Sequence, residues 1–133
     1  GADGLDPFKA AITRWICPDV SHNQDISISK AKKAITEYRK GVGDPEGLAE
    51  LTVYYCESCR NLLDHCGMDD QRYFDALVGV FKQALKAVTV LGPDKQPALI
   101  ARLERVRGES HNWGYGVGVD LDALMLEYGF AGR

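Results

Sequence analysis

Cys56-Glu57-Ser58-Cys59, followed by His65 and Cys66, supplies the residue types that bind zinc or exchange disulfides. The recognisable zinc pattern needs a second Cys-x-x-Cys pair, which this sequence lacks. The run also lies inside a segment of helical periodicity from Pro45 to about Cys66. On an uninterrupted helix Cys59 and Cys66 stand about 10.5 Å apart along the axis, too far to share one ion. With Leu48 as origin, Leu51, Thr52, Tyr55, Cys59, Leu62, Leu63 and Cys66 fall within about 60° of it, on one stripe. Cys56 falls on one flank and His65 on the other. Cys59 and Cys66 are therefore expected to be buried as small apolar side chains with no metal bound. The alternative is a metal site joining Cys56 and Cys59 to Cys17 or His22. A redox couple needs the helix N-terminal dipole to lower a thiol pKa, and this pair lies about three turns inside its helix.

A second region with chemical potential is Glu109 to Asp122, where Gly114, Gly116 and Gly118 alternate with larger side chains. It is not a phosphate-binding loop. The G-x-G-x-x-G spacing, a preceding strand and a following Lys-Ser/Thr are all missing, and Asp120 and Asp122 would repel an anion. Capping of the next helix by one of these carboxylates is the expected role. Glu109, His111, Asp120 and Asp122 could also offer oxygen and nitrogen donors to a divalent cation. Trp113 extends the apolar stripe of Leu99, Leu103 and Val106, which leaves Tyr115 as the exposed aromatic. Loops carry recognition more often than helix interiors, so the candidate ligand or partner site comprises His111, Asn112, Tyr115, Asp120 and Asp122. Tyr54 joins them because it projects about 120° away from its helix's apolar stripe, where an interface aromatic would sit.

Catalytic templates find no purchase. No serine lies in a G-x-S-x-G turn, and acidic pairs such as Asp69/Asp70 fall at helix starts, where the dipole accounts for them. Lys30, Lys32, Lys33, Arg39 and Lys40 scatter around a helix and read as a solvated face, not as a phosphate patch.

The elements that must hold these residues are helices. Asp6-Pro7 opens one that ends before Pro18, and a second runs from about Ser29 to Lys40. Asp44-Pro45 opens the long helix, closed by Gly67. Asp69 begins a fourth, to about Leu91; Asp94 a fifth, to Asn112 or Trp113; and Asp120 a short last one, to Tyr128. Leu51–Tyr55 is the only β-prone run, and its apolar residues fit the helical pattern. The fourth helix is apolar over more than half its circumference, so it needs packing partners on several sides and belongs in the middle. The fold class is all-α: a single-domain bundle of about six helices, mostly antiparallel to their neighbours.

With 133 residues, 45% apolar, 26% charged and a net charge of −3, the chain has the composition of one globular domain. Residues 1–4 read as a tag remnant or a disordered end. No signal peptide or membrane span is legible, and reduced thiols in the cytoplasm are expected. The functional expectation is a non-catalytic binding or interaction protein with a protein or small-molecule partner, self-association as a homodimer included. No nucleic acid, membrane or cofactor is implied. The alternative is a small metal-dependent enzyme or metal-binding protein built on His111, Asp120 and Asp122.

Overall fold

Short-range signals start or stop several of the helices. The computed structural model describes residues 4–16, 27–66, 71–110 and 117–130, and these form α1 (Asp6–Ile16), α2 (Ile28–Gly41), α3 (Pro45–Cys66), α4 (Gln71–Thr89), α5 (Gln96–Ser110) and α6 (Val117–Glu127). No strand occurs among the described residues, and the β-prone run 51–55 is helical, inside α3. Ser27 caps α2, its hydroxyl accepting from the Lys30 N–H at 3.2 Å. Gly43, at φ 69°, ends that helix in the left-handed region, where only glycine sits without strain, and its N–H reaches the Tyr38 carbonyl at 3.0 Å. Asp44 then caps α3 through the Gly47 N–H at 2.9 Å.

Gly47 is required for a second reason. A Cβ there would run into the hydroxyl and ring of Tyr38, so the missing side chain lets α2 approach the first turn of α3. Burial, followed by the negative charge of Asp44, raises the pKa of the Tyr38 phenol. At the other end of the chain, Gly129 (φ 81°) closes α6 while the Phe130 N–H returns to the Met125 carbonyl at 2.8 Å, which turns the Phe130 ring into the core.

Packing explains why the helices stay folded. α3 touches α1, α2, α4 and α5, and α4 touches α3, α5 and α6. α4 has the several-sided packing its broad apolar face demands, with Phe81, Ala84, Leu85 and Val88 fully buried. It shares the middle with α3, whose larger set of neighbours periodicity did not reveal. The consequence shows at Leu51, Thr52, Val53 and Tyr55, four of five successive residues that are buried on different sides of one helix.

The start of α6 differs from expectation: the helix runs from Val117, before Asp120, which lies in its first turn. α5 is described as far as Ser110, and its expected end at Asn112 or Trp113 lies outside the described residues. Gly118 is helical and buried. Glycine costs a helix about 1 kcal/mol relative to alanine, and burial of Leu121 and Met125 in the core offsets that local preference. Gly67 and Asp69, the expected ends of α3 and α4, lie outside the described residues. No described helix is long and apolar enough to cross a membrane.

Candidate functional site

The cysteine pair is buried on an unbroken helix. α3 runs without interruption from Pro45 to Cys66, and Cys56 and Cys59 are both buried in the core and not joined in a disulfide. Cys56, expected on a flank, is fully enclosed, because α3 has neighbours on that side as well. Burial pushes its thiol well above the ordinary range, helped by Cys59 and Glu57. A thiol held protonated is a poor nucleophile and a poor metal ligand. Beside it the Tyr55 hydroxyl donates to the Ile28 carbonyl at 3.0 Å, and burial, followed by the two cysteines, raises the phenol pKa. Among the described residues, no three His, Cys, Asp or Glu side chains converge as a metal-binding group. Cys17 and His22 lie outside the described residues.

The glycine-rich candidate site comes apart at its helical end. Asp120 and Asp122 lie two residues apart on α6 and so point about 200° apart around it. Asp120 is exposed, whereas Asp122 accepts from Arg107 of α5 at 3.0 Å. The two carboxylates are therefore not brought together, and Asp122 serves as a tie between α5 and α6 instead of a cap. Glu109 is engaged elsewhere, in an ion pair with Arg60 of α3. His111, Asn112, Trp113 and Tyr115 lie outside the described residues. Tyr54, expected as an outward aromatic, is half-buried. Its hydroxyl lies 2.5 Å from that of Thr13 on α1, and the Lys9 ammonium stands 5.2 Å from its ring centre.

Tyr54 nonetheless leads to a polar depression on the described surface. A groove of about 330 Å³ between α3 and α5 is lined by Tyr54, Glu57, Ser58, Arg60 and Asn61 on one side and Arg102, Arg105, Val106 and Glu109 on the other. Helical spacing builds both walls. Tyr54, Glu57, Ser58 and Asn61 follow i, i+3, i+4, i+7 on α3, and Arg102, Arg105, Val106 and Glu109 follow the same spacing on α5.

Arg102 locks the walls together. Its Nε and Nη2 donate to the Glu57 carboxylate at distances from 3.2 down to 2.5 Å, while Nη1 donates to Glu50 Oε1 at 2.7 Å. Lys9 adds a second cation, 3.5 Å from Glu50 Oε2. Burial pushes the Glu50 carboxyl up, but the hydrogen bond and charge of Arg102, then Lys9, outweigh it and hold the pKa below its ordinary value. The guanidinium is correspondingly raised, chiefly by Glu57. Arg60, besides its pair with Glu109, donates to Asn61 Oδ1 at 2.6 Å. Ser58 is buried and donates to the Tyr54 carbonyl at 2.9 Å, so its hydroxyl is committed to the backbone. Arg105 alone among the groove's three arginines is exposed and forms no ion pair among the described residues.

Sequence reasoning missed this groove, although its pattern was present: opposite-sign stripes on two helices separated in the chain by a third. A paired face and a solvated face carry the same residue types, and only the docking of α5 on α3 tells them apart. Compared with protein-family models, curated proteins and solved structures, the chain matches none.

Proposed function

We propose that this chain is a small non-catalytic binding protein, and that the groove between α3 and α5 receives a carboxylate-bearing small molecule or side chain. The observation that carries this reading is the asymmetry of the groove's charges. Glu57 and Glu109 already face arginines, so a cationic guest would have to displace an internal partner. Arg105 stands at the same groove with its guanidinium uncommitted among the described residues, and guanidinium matches carboxylate geometry in two parallel hydrogen bonds. The half-buried Tyr54 ring and Val106 give an apolar wall for the body of such a guest. Because Arg102 is held by two carboxylates, the floor is set before a guest arrives, which lowers the ordering cost of binding.

Titration of the isotope-labelled chain with glutarate, followed by amide chemical shifts, tests this. Saturable shifts should centre on residues 57–61 and 102–109 and disappear in Arg105→Glu, whose stability should stay within about 0.5 kcal/mol of the parent because the residue is exposed. Shifts that never saturate, or that survive Arg105→Glu, would remove the groove from consideration.

A further inference from the structure

The described surface carries two apolar patches of matched length and opposite charge. On α6, Val119 and Leu126 are 67% and 70% exposed, and Ala123 between them is exposed too. At about 100° per residue the three fall within roughly 60°, so they form one outward stripe about 10.5 Å long. Asp120 and Glu127, both exposed and seven residues apart, run along one flank of it.

The second patch is a groove of about 250 Å³ where α2, α3 and α4 meet. Leu48, Ala87 and Val90 give it apolar walls, Val90 being 71% exposed, and Arg39 and Lys86 stand at its rim. From Gln83 on α4 to Val90, one residue past the end of that helix, this wall is seven residues long, again about 10.5 Å. Asp120, Glu127, Arg39 and Lys86 form no ion pair among the described residues.

We propose that the α6 stripe of one copy of this chain seats in the α2–α3–α4 groove of a second copy, head to tail. Charge selects this pairing over a symmetric one. Two α6 stripes face to face would oppose Asp120 and Glu127 to their own counterparts, and two grooves face to face would oppose Arg39 and Lys86 to theirs. Stripe against groove brings acid to base along the whole contact. Within one chain the two cannot meet, because α6 packs on α4 and α5 while the groove opens between α2, α3 and α4. A head-to-tail contact leaves a free stripe at one end of the assembly and a free groove at the other, so growth proceeds to a closed ring or an open filament. The patches are small by the measure of stable interfaces, so association is weak, reversible and reduced by salt.

Sedimentation velocity over a wide concentration range, with two variants, decides the matter. The parent chain should grow beyond the dimer as concentration rises and shrink again in 1 M NaCl. Leu126→Glu spoils the stripe and Val90→Glu the groove; both positions are exposed, so thermal melts should match the parent. Each variant alone should sediment as a monomer. Mixed in equal amounts they should form a dimer and nothing larger, because each supplies the face the other has lost. A parent that stays monomeric at every concentration would overturn the proposal and leave the groove to an acidic amphipathic helix of another protein. It would equally fail if either variant kept self-associating alone, or if the mixture stayed monomeric.

Discussion

Around Tyr55, Cys56 and Cys59, α3 is enclosed by apolar side chains and holds its polar groups neutral, while around Glu50 and Glu57 the same helix meets Arg102, partly open to solvent, through ion pairs. The two sides are separated by rotation about one axis, not by sequence distance. On the enclosed side, position is fixed by shape and by transfer from water, so an intruding charge has no answer. On the open side, position is fixed by ion pairs whose worth is trimmed by solvent and salt. Enclosure makes α3 a support. Openness leaves the α5 side facing solvent.

The sharpest way to break this contrast is Phe81→Asp, which sets an unpaired carboxylate among fully buried neighbours on α4. A loss of several kcal/mol is expected, enough to abolish cooperative thermal unfolding at neutral pH. A variant that melted like the parent would mean that the core is not closed.

On the open side, Arg102→Met leaves Glu50 and Glu57 facing each other without their shared cation. Partial exposure limits the loss to about 1–2 kcal/mol, and denaturant titrations should show it shrinking as salt is added. Tyr55→Phe removes the hydroxyl that bonds to the Ile28 carbonyl and should cost about 1 kcal/mol, with no dependence on salt.

Opposite pH limbs separate the two sides further, with smaller effects. The Glu50 pKa is lowered on folding, so its contribution is present in full above the unfolded value of about 4.3 and is lost as pH falls through the folded value. Arg102→Met should flatten that acid limb. Tyr55 and Cys56 are raised, so their contributions are complete below the unfolded values of about 10 and 8.5 and are lost as pH rises through the folded ones. Melting temperature against pH should therefore decline on both sides of neutrality, and Tyr55→Phe should soften only the alkaline decline.

Much of the architecture was legible from local patterns. The Asp44 cap and the 45–66 helix are where periodicity placed them, and Cys59 is the inward-facing thiol that its stripe required. Cys56 was less legible, because a flank becomes interior only when a neighbouring helix happens to cover it. Asp120 and Asp122 looked alike beside a glycine-rich turn, yet α6 begins three residues before Asp120, and only Asp122 meets an arginine. Of the candidate site, the sequence offered Tyr54 at the margin of the α3–α5 groove and none of the arginines that define it.

What this sequence determined by itself is that the chain coils into capped helices with apolar stripes, since hydrogen bonds to the fourth residue along, side-chain caps and a period of about 3.6 residues are all short-range. Tertiary structure alone decided which stripes meet: that Arg102 reaches Glu50 and Glu57 across 52 and 45 residues, and that α3 joins α4 at the centre. Those contacts depend on how whole helices pack, and a charged stripe has the same composition whether water or another helix answers it.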